Sequence, residues 1–253
     1  MFDDVQNVAQ RAYTGSLPTE DQVQRLVESA HRRYAEVHEG FVADYIPVLA
    51  DADPDSFGLV MAGVTGQCFA TGDSDTVFSI QSISKAFVFA LAVEAIGHEE
   101  ARYRVGVNNT GMGFNSVVAV EMNDGSPMNP MVNPGAIVTS GLVPGTDIGE
   151  KWAHIHEGLS AFAGRELDVD EDVYRSEMAN NERNRAIAHL LTSYGRLDVD
   201  PNYIVDAYTR QCSLQVTAAD IAVMGGRPSP TAASTPSRGN ASCRPTCAGT
   251  SSR

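Results

Sequence analysis

The chain has 253 residues, of which 43% are hydrophobic and 20% charged, the balance of a soluble globular protein with one large domain or two small ones. Its formal charge of −14 argues against a nucleic-acid partner or an anionic membrane surface, because both would be repelled. No run approaches the roughly 18 apolar residues of a membrane span, and the acidic N-terminal sequence predicts no export signal, so we expect a cytoplasmic protein.

The first predicted element is a helix that begins after Thr19. Thr19 and Gln22 have the spacing of a capping box, and apolar residues then recur at helical intervals up to Gly40, where the helix is expected to end. Runs rich in apolar and β-branched residues and bounded by turn residues then predict three strands, over 57–64, 67–71 and 76–80.

Downstream of these strands the pattern becomes helical. An apolar run predicts a helix over 81–96 that ends at Gly97, whereas the Gly, Asn and Pro content of 108–144 predicts ordered loops around short strands. Amphipathic stretches then predict four more helices, over 147–162, 176–194, 201–212 and 217–224.

This order of elements indicates an α/β fold in which a helical part interrupts a sheet domain. We expect the first part of the sheet domain and a serine-bearing helix over 1–100, and a mostly helical domain that returns to the sheet over 101–226. The tail over 227–253 contains no Leu, Ile, Val, Met, Phe, Tyr or Trp, and its charged residues are all arginines, so we expect it to be disordered.

The strongest chemical signal is the segment Ser82-Ile83-Ser84-Lys85 at the start of the apolar helix. Side chains three positions apart share a helix face, so Ser82 and Lys85 can meet. Apolar surroundings favour a neutral lysine, and a neutral lysine can take the proton of a serine hydroxyl and make it a nucleophile. Lys85 and Lys151 are the two lysines of the chain, which makes a lysine in an apolar helix notable.

The motif has ordinary explanations as well. Ser-x-x-Lys is short enough to occur about once by chance in a chain of this length. A lysine can also extend from a core helix to the surface without any catalytic role. The same signature marks penicillin-binding enzymes and class A β-lactamases, so the motif alone indicates a class of chemistry and leaves the substrate open.

A longer set of segments resembles the serine-dependent glutaminase family, in order, from about residue 19 to 226. The segment Phe78-Ser79-Ile80-Gln81-Ser82-Ile83-Ser84-Lys85 resembles that family's nucleophile region. The other matching segments are Ala43-Asp44-Tyr45-Ile46-Pro47, Arg104-Val105-Gly106-Val107, Phe114-Asn115-Ser116, Asn129-Pro130-Met131-Val132-Asn133, Ser176-Glu177 with Arg183-Asn184, and Tyr208-Thr209-Arg210-Gln211-Cys212-Ser213.

The resemblance implies a β-lactamase/transpeptidase-like sheet domain with an inserted all-helical domain. It also implies hydrolysis of L-glutamine to L-glutamate and ammonia by a homo-oligomer, a dimer or tetramer. We expect no cofactor, and no metal site either, because Cys243-x-x-x-Cys247 has no partner pair at zinc-site spacing. By position the resemblance makes Ser82 the nucleophile and Lys85 its base, with Tyr45 beside them at the catalytic centre. The implied substrate-binding residues are Tyr45, Gln81, Ser82, Asn133, Glu177, Asn184 and Tyr208.

These roles suit free glutamine. Glu177 can accept the α-ammonium, and the neutral donors of Asn133, Asn184 and Tyr208 can bind the α-carboxylate. Because Glu177 and Asn184 are seven positions apart, we expect one helix face to present both. Without the resemblance, Glu177 and Asn184 would be interpreted as a solvated helix face and both tyrosines as core residues.

The tail over 227–253 also indicates whether the sheet domain and the active site are complete. The resemblance implies that a further active-site tyrosine, a Lys-Ser-Gly strand and one backbone donor of the oxyanion hole should follow Gly226, and 227–253 matches none of them. The genetic code offers a test of this. If the codons of 228–237 are read in a shifted frame that starts at the third base of the Arg227 codon, they can encode Pro-Leu-Ala-Asp-Gly-Gly-Val-Asn-Pro-Val. That sequence resembles the family's continuation. We therefore expect a reading-frame shift near Gly226 and a sheet domain that is incomplete at its C-terminus.

Two other functions stay open at this point. One is a penicilloyl-serine β-lactamase or peptidase, which would share Ser82 and Lys85 but would be exported and would not need Glu177 for an α-ammonium. The other is a truncated, inactive glutaminase homologue, a non-catalytic fragment. It would lack one donor of the oxyanion hole, which matters greatly in acyl transfer, and would be expected to show low solubility and little ammonia release.

Overall fold

A computed structural model of the chain describes residues 15, 18–63 and 66–226. The predictions made for the tail over 227–253 lie outside these residues. The described part is rich in helix and has two small antiparallel sheets, which confirms the α/β class. None of its helices is long and apolar enough to span a membrane.

Helices and strands are numbered here in chain order. The helices are α1 Glu20–Tyr34, α2 Ser84–Ile96, α3 His98–Val105, α4 Val117–Glu121, α5 Asn133–Leu142, α6 Ile148–Ala163, α7 Glu171–Met178, α8 Glu182–Ser193, α9 Pro201–Cys212 and α10 Ala218–Gly226. The strands are β1 Gly58–Ala62, β2 Cys68–Gly72, β3 Phe78–Ser79 and β4 Gln215–Val216, and the 3₁₀ turns are Pro47–Asp51 and Gln81–Ile83.

The first sheet pairs the predicted neighbours β1 and β2 in antiparallel register, with Val60 opposite Ala70. Helix α1 packs on β2 and α10 packs on β1. The third predicted strand is shorter than expected, because only Phe78 and Ser79 pair, and their partner is the distant strand β4. The β3–β4 pair connects the segment before Ser82 to the segment after α9.

The predicted capping box at α1 is present. The Thr19 hydroxyl accepts from the Gln22 backbone N–H at 3.3 Å, and the Gln22 side chain accepts from the Thr19 N–H at 2.8 Å. The helix ends at Tyr34, however, and not near Gly40. Val37 is 56% exposed, so its helical spacing does not correspond to a buried position.

Helix α2 lies between two hydrophobic cores, one with α5 and one with α6. On the α6 side, Leu91 packs so closely on Gly158 that a β-carbon there would lie 2.4 Å from a Leu91 methyl group. A helix enclosed on two sides needs no single apolar stripe, which explains its almost continuous apolar sequence. This packing fixes the direction of the turn that carries Ser82.

Two predictions about the middle of the chain are wrong. The segment 108–144 forms α4 and α5, with no strand among its described residues. Pro134 lies in the first turn of α5, where a proline needs no backbone donor, and the buried Ile137 joins the core. The single helix expected over 176–194 is two helices, α7 and α8, because the Asn181 amide at the break donates to the Thr209 hydroxyl at 2.6 Å.

The helices at the C-terminal end agree with prediction. Asp147 caps α6, and Thr217 and Asp220 cap α10 reciprocally, with Asp220 also bound by Arg165 at 2.7 Å. Asp200 caps α9 by accepting from the backbone N–H groups of Asn202 and Tyr203 at 2.8 and 3.3 Å.

We expect Asp200→Ala to lower the free energy of unfolding by about 1 kcal/mol, because two N–H groups at the start of α9 lose their acceptor. Denaturant unfolding followed by circular dichroism measures this loss. Asp198→Ala is the matched control, because the Asp198 side chain is 72% exposed and its ion pair with Arg104 lies at the surface. Equal losses in the two variants would contradict the capping role.

Candidate active site

A cavity of about 330 Å³ lies where the segment before the turn Pro47–Asp51 meets the start of α2 and helices α5, α7, α8 and α9. Its wall combines residues far apart in the sequence. All the predicted site residues except Lys85 line it, namely Tyr45, Gln81, Ser82, Asn133, Glu177, Asn184 and Tyr208.

Ser82 lies on the 3₁₀ turn Gln81–Ile83, immediately before α2. The helix predicted to begin at 81 therefore begins at Ser84. Gln81 has φ of 49°, a left-handed backbone conformation that is costly for a residue other than glycine. Its side-chain amide donates to the Ser79 hydroxyl at 3.2 Å and also hydrogen-bonds to Glu177. These contacts hold the turn so that Ser82 is exposed in the cavity.

Lys85 lies behind the cavity wall and is 3% exposed. Its amine donates to the Met131 carbonyl at 3.0 Å and to Asn133 Oδ1 at 2.8 Å, and it lies 5.7 Å from the centre of the Phe114 ring. Burial lowers the Lys85 pKa, and the nearby Cys212 and Glu177 oppose that change. Burial is the largest influence, so the neutral amine is favoured relative to an exposed lysine.

The hydrogen bonds of Lys85 are compatible with a base. A neutral amine has two N–H groups and one lone pair. Donation to Met131 and Asn133 uses both N–H groups, which leaves the lone pair available for a proton. Direct pairing between Ser82 and Lys85 stays a prediction.

Asn133 connects Lys85 to the far side of the cavity. Its Oδ1 accepts from Lys85, and its Nδ2 donates to Asn184 Oδ1 at 2.9 Å. The start of α5 is held closely in place, because a β-carbon at Gly135 would lie 1.9 Å from the Asn129 carbonyl oxygen. Asn133 is therefore fixed in orientation by groups on both of its sides.

Glu177 gives the cavity an acidic group. Its Oε2 is buried without a hydrogen-bond partner among the described residues. Burial raises the pKa of this carboxyl to about 7, while the Gln81 hydrogen bond and the nearby Lys85 amine act in the opposite direction. An unpaired buried carboxylate oxygen is costly, and a cationic group in the cavity would satisfy it.

Two tyrosines complete the wall. The buried Tyr208 hydroxyl contacts Ser82 and Cys212, and burial raises its pKa well above the usual value. Tyr45 is 67% exposed at the cavity mouth, and its partial burial together with the charge of Glu177 raises its pKa. The neighbouring Ile46 is 3% exposed and anchors the segment that carries Tyr45.

Helix α7, which carries Glu177, is tied to α9, which carries Tyr208. The Tyr174 hydroxyl donates to one Asp206 oxygen, and Arg210 Nε donates to the other at 2.9 Å. The Arg210 guanidinium also lies 4.4 Å from the centre of the Tyr174 ring. These three side chains fix the distance between the two helices, and therefore the distance between Glu177 and Tyr208.

The sequence profile of the family described as Glutaminase matches residues 40–233, more than three quarters of the chain. This chain belongs to the glutaminase family. Glutaminase 2 of Yersinia pestis is 50% identical over 212 residues, which cover 84% of this chain and 62% of that protein. The glutaminase of Brucella abortus strain S19 is 46% identical over 205 residues, 81% of this chain and 65% of its own length.

Solved structures agree with this membership. One described as a probable glutaminase superposes with a TM-score of 0.81 at 35% identity, covering 83% of this chain and 68% of that one. A second, Mglu in its native form, has a TM-score of 0.74 at 38% identity, covering 81% and 50%. The glutaminase-like fold confirms the predicted β-lactamase-like class, and the chain spans less than two thirds of the length of the curated relatives named above.

One expectation about this glutaminase-family site is wrong. Glu177 and Asn184 do not share a helix face, because Glu177 lies on α7 and Asn184 on α8. The break between the helices brings both to the same cavity. The sequence analysis did not predict five further cavity residues, which are Asn115, Asn180, Asn181, Arg183 and Cys212. Of these, Asn115, Arg183 and Cys212 lie in the segments that resemble the family.

Proposed function

We propose that the protein hydrolyses L-glutamine to L-glutamate and ammonia through an acyl-enzyme on Ser82. The observation that carries this proposal is the cavity itself, in which an exposed serine hydroxyl and an unpaired, buried Glu177 carboxylate face the same space. The named relatives are glutaminases, which supports the same substrate class.

The chemistry follows from the arrangement. Glu177 accepts the α-ammonium of glutamine, which places the side-chain amide toward Ser82. Lys85 takes the Ser82 proton, and the hydroxyl oxygen attacks the amide carbon. The amide nitrogen leaves as ammonia with a proton returned from Lys85, and water then hydrolyses the ester to release glutamate and restore the serine. The start of α2 adds positive potential near the developing oxyanion.

The remaining predicted residues have supporting roles in this proposal. Asn133 orients Lys85, Gln81 orients Glu177, and Asn184 contributes an amide donor to the wall. Tyr208 holds the Ser82 hydroxyl, and Tyr45 covers the cavity mouth beside the catalytic centre. We also propose a cytoplasmic homo-oligomer, and a boundary near residue 100 between the start of the sheet domain and the mostly helical domain.

Ammonia release separates the three candidate functions. The protein incubated with L-glutamine is expected to release ammonia and to leave a chromogenic β-lactam intact. Hydrolysis of the β-lactam without ammonia release would instead establish a penicilloyl-serine enzyme. If neither L-glutamine nor the β-lactam is hydrolysed, the protein is a non-catalytic fragment, and this proposal is contradicted.

A further inference from the structure

The backbone of Gln81 needs support from its neighbours, because its φ of 49° is a left-handed conformation that a residue with a side chain adopts only at a cost. Such a conformation persists when surrounding groups hold it in place. Gln81 immediately precedes Ser82, so the peptide group that joins the two residues sets the direction of the Ser82 side chain. The groups that hold the Gln81 carbonyl therefore also hold the proposed nucleophile.

Ser84 holds this carbonyl from the first turn of α2. The Ser84 hydroxyl donates to the Gln81 carbonyl at 2.7 Å, and the Ser84 backbone N–H hydrogen-bonds to the same oxygen. The Ser84 side chain is fully buried and lies outside the cavity wall, so it acts on the turn and not on a bound substrate. A hydroxyl has one proton, and donation to Gln81 leaves the Ser84 oxygen to accept from a neighbour.

That neighbour is Gln211 on α9, 127 positions away in the sequence. Gln211 Nε2 donates to Ser84 Oγ at 3.0 Å, and Gln211 Oε1 lies 3.2 Å from the Ser140 hydroxyl on α5. Gln211 is 1% exposed, and an amide is costly to bury unless its polar atoms are paired. A buried relay, Ser140–Gln211–Ser84, thus connects α5 and α9 to the Gln81 carbonyl.

The segment after α9 holds the other side of the turn. The Ile80 backbone N–H donates to the Leu214 carbonyl at 2.8 Å, beside the β3–β4 pair. Gln81 therefore lies between a backbone hydrogen bond that precedes it and the relay that follows it. A side-chain substitution leaves the backbone hydrogen bond at Ile80 in place, so substitutions in the relay can remove one support without the other.

We propose that Ser84 and Gln211 are positioning residues, which hold the Gln81 carbonyl and thereby direct the Ser82 hydroxyl into the cavity. This inference rests on the proposed role of Ser82 as nucleophile. Neither Ser84 nor Gln211 lines the cavity, so their loss should lower turnover and leave substrate binding unchanged. A displacement of about 1 Å in an active site can cost roughly 10²-fold in rate.

The test is a double-mutant cycle of Ser84→Ala, Gln211→Met and the double variant, in which kcat and KM are measured from ammonia release. We expect Ser84→Ala to lower kcat roughly 10- to 100-fold, with KM within about twofold of wild type. Gln211→Met should lower kcat less, because Ser84 can still donate to Gln81. The double variant should be no slower than Ser84→Ala, because both residues act through one carbonyl.

Stability distinguishes positioning from a purely structural role. Ser84→Ala leaves the buried Gln211 amide without its acceptor, so this variant should unfold at lower denaturant concentration than wild type. The double variant removes both polar groups, and the Ser140 hydroxyl keeps the Ala136 carbonyl as a partner at 3.0 Å. Its stability should therefore recover in part, whereas its kcat should stay low. The double variant also tests the role if Ser84→Ala itself does not fold.

Ser160→Ala is the matched control, because it loses a serine hydrogen bond to the Leu167 N–H on α6, outside the cavity. It should lower stability and leave kcat unchanged. Recovery of kcat together with stability in the double variant, or an equal loss of kcat in Ser160→Ala, would overturn the inference.

A fluorophosphonate provides a second readout, because it reports the reactivity of Ser82 without requiring glutamine. Labelling of Ser82 should be slower in Ser84→Ala than in the wild-type protein. Slower labelling combined with no ammonia release by the wild-type protein would contradict the proposed function and leave this inference standing. Equal labelling rates and an unchanged kcat in Ser84→Ala would overturn this inference and leave the proposed function standing.

Discussion

Ser82→Ala is expected to reduce ammonia release from L-glutamine by several orders of magnitude, on the order of 10⁴-fold or more, because an acyl-enzyme mechanism depends on its nucleophile. The rate should be compared in the wild-type protein and the variant at saturating glutamine. Ser82 lies exposed on a turn, so its replacement leaves no cavity in the core, and the Tyr208 hydroxyl keeps Cys212 as a partner. Unfolding should therefore change little.

Ser56→Ala is the matched control, because Ser56 is an exposed loop serine outside the cavity. A glutamine analogue with a diazoketone in place of the amide provides an independent readout. Mass spectrometry should find its adduct on the peptide that contains Ser82 and none in Ser82→Ala. An adduct on another residue, or a fully active Ser82→Ala protein, would refute the mechanism.

The second large effect is expected at Glu177, where one substitution should act in opposite directions on binding and stability. Glu177→Gln removes the partner proposed for the α-ammonium and should weaken glutamine binding by about 1.5–3 kcal/mol. The same change removes a buried carboxylate with an unpaired oxygen, which should stabilise the fold at alkaline pH.

The pH dependence follows from the direction of the pKa change. The carboxyl is raised from 4.5 to about 7 in the folded protein, so its burial cost is absent below pH 4.5, grows between pH 4.5 and 7, and is complete above pH 7. At 1.36 kcal/mol per pKa unit the full cost is about 3 kcal/mol. Glu177→Gln should therefore unfold at higher denaturant concentration than wild type at pH 8 and near the wild-type concentration at pH 4.

Two further measurements complete this test. The affinity of the wild-type protein for glutamine should fall as the pH decreases below about 7, because protonated Glu177 no longer attracts an ammonium. Glu157→Gln, at an exposed position on α6, should change neither property. If Glu177→Gln binds glutamine as tightly as the wild-type protein does, Glu177 does not bind the α-ammonium. If the variant is no more stable than wild type at pH 8, burial of the carboxylate does not destabilise the fold.

Much of the site was predictable, yet not from local pattern alone. The spacing of Ser82 and Lys85 indicates nucleophile chemistry, because a three-residue separation is a local property of a helix. The resemblance supplied the other residues, and those side chains line the cavity with Ser82. Arg183 lies next to Asn184 in a matched segment but has no local feature that distinguishes it from the other arginines of the chain.

The sequence by itself determined the elements whose causes lie within three or four residues, such as the capping box at Thr19 and the cap at Thr217. Only the tertiary structure decided the break between α7 and α8, where Asn181 bonds to Thr209, and the state of Lys85, whose partner Asn133 is 48 positions away. The unpaired oxygen of Glu177 is likewise a tertiary property. Burial and long-range partners are created only when distant segments pack, and they decide protonation and orientation, whereas caps and helical spacing act before any packing exists.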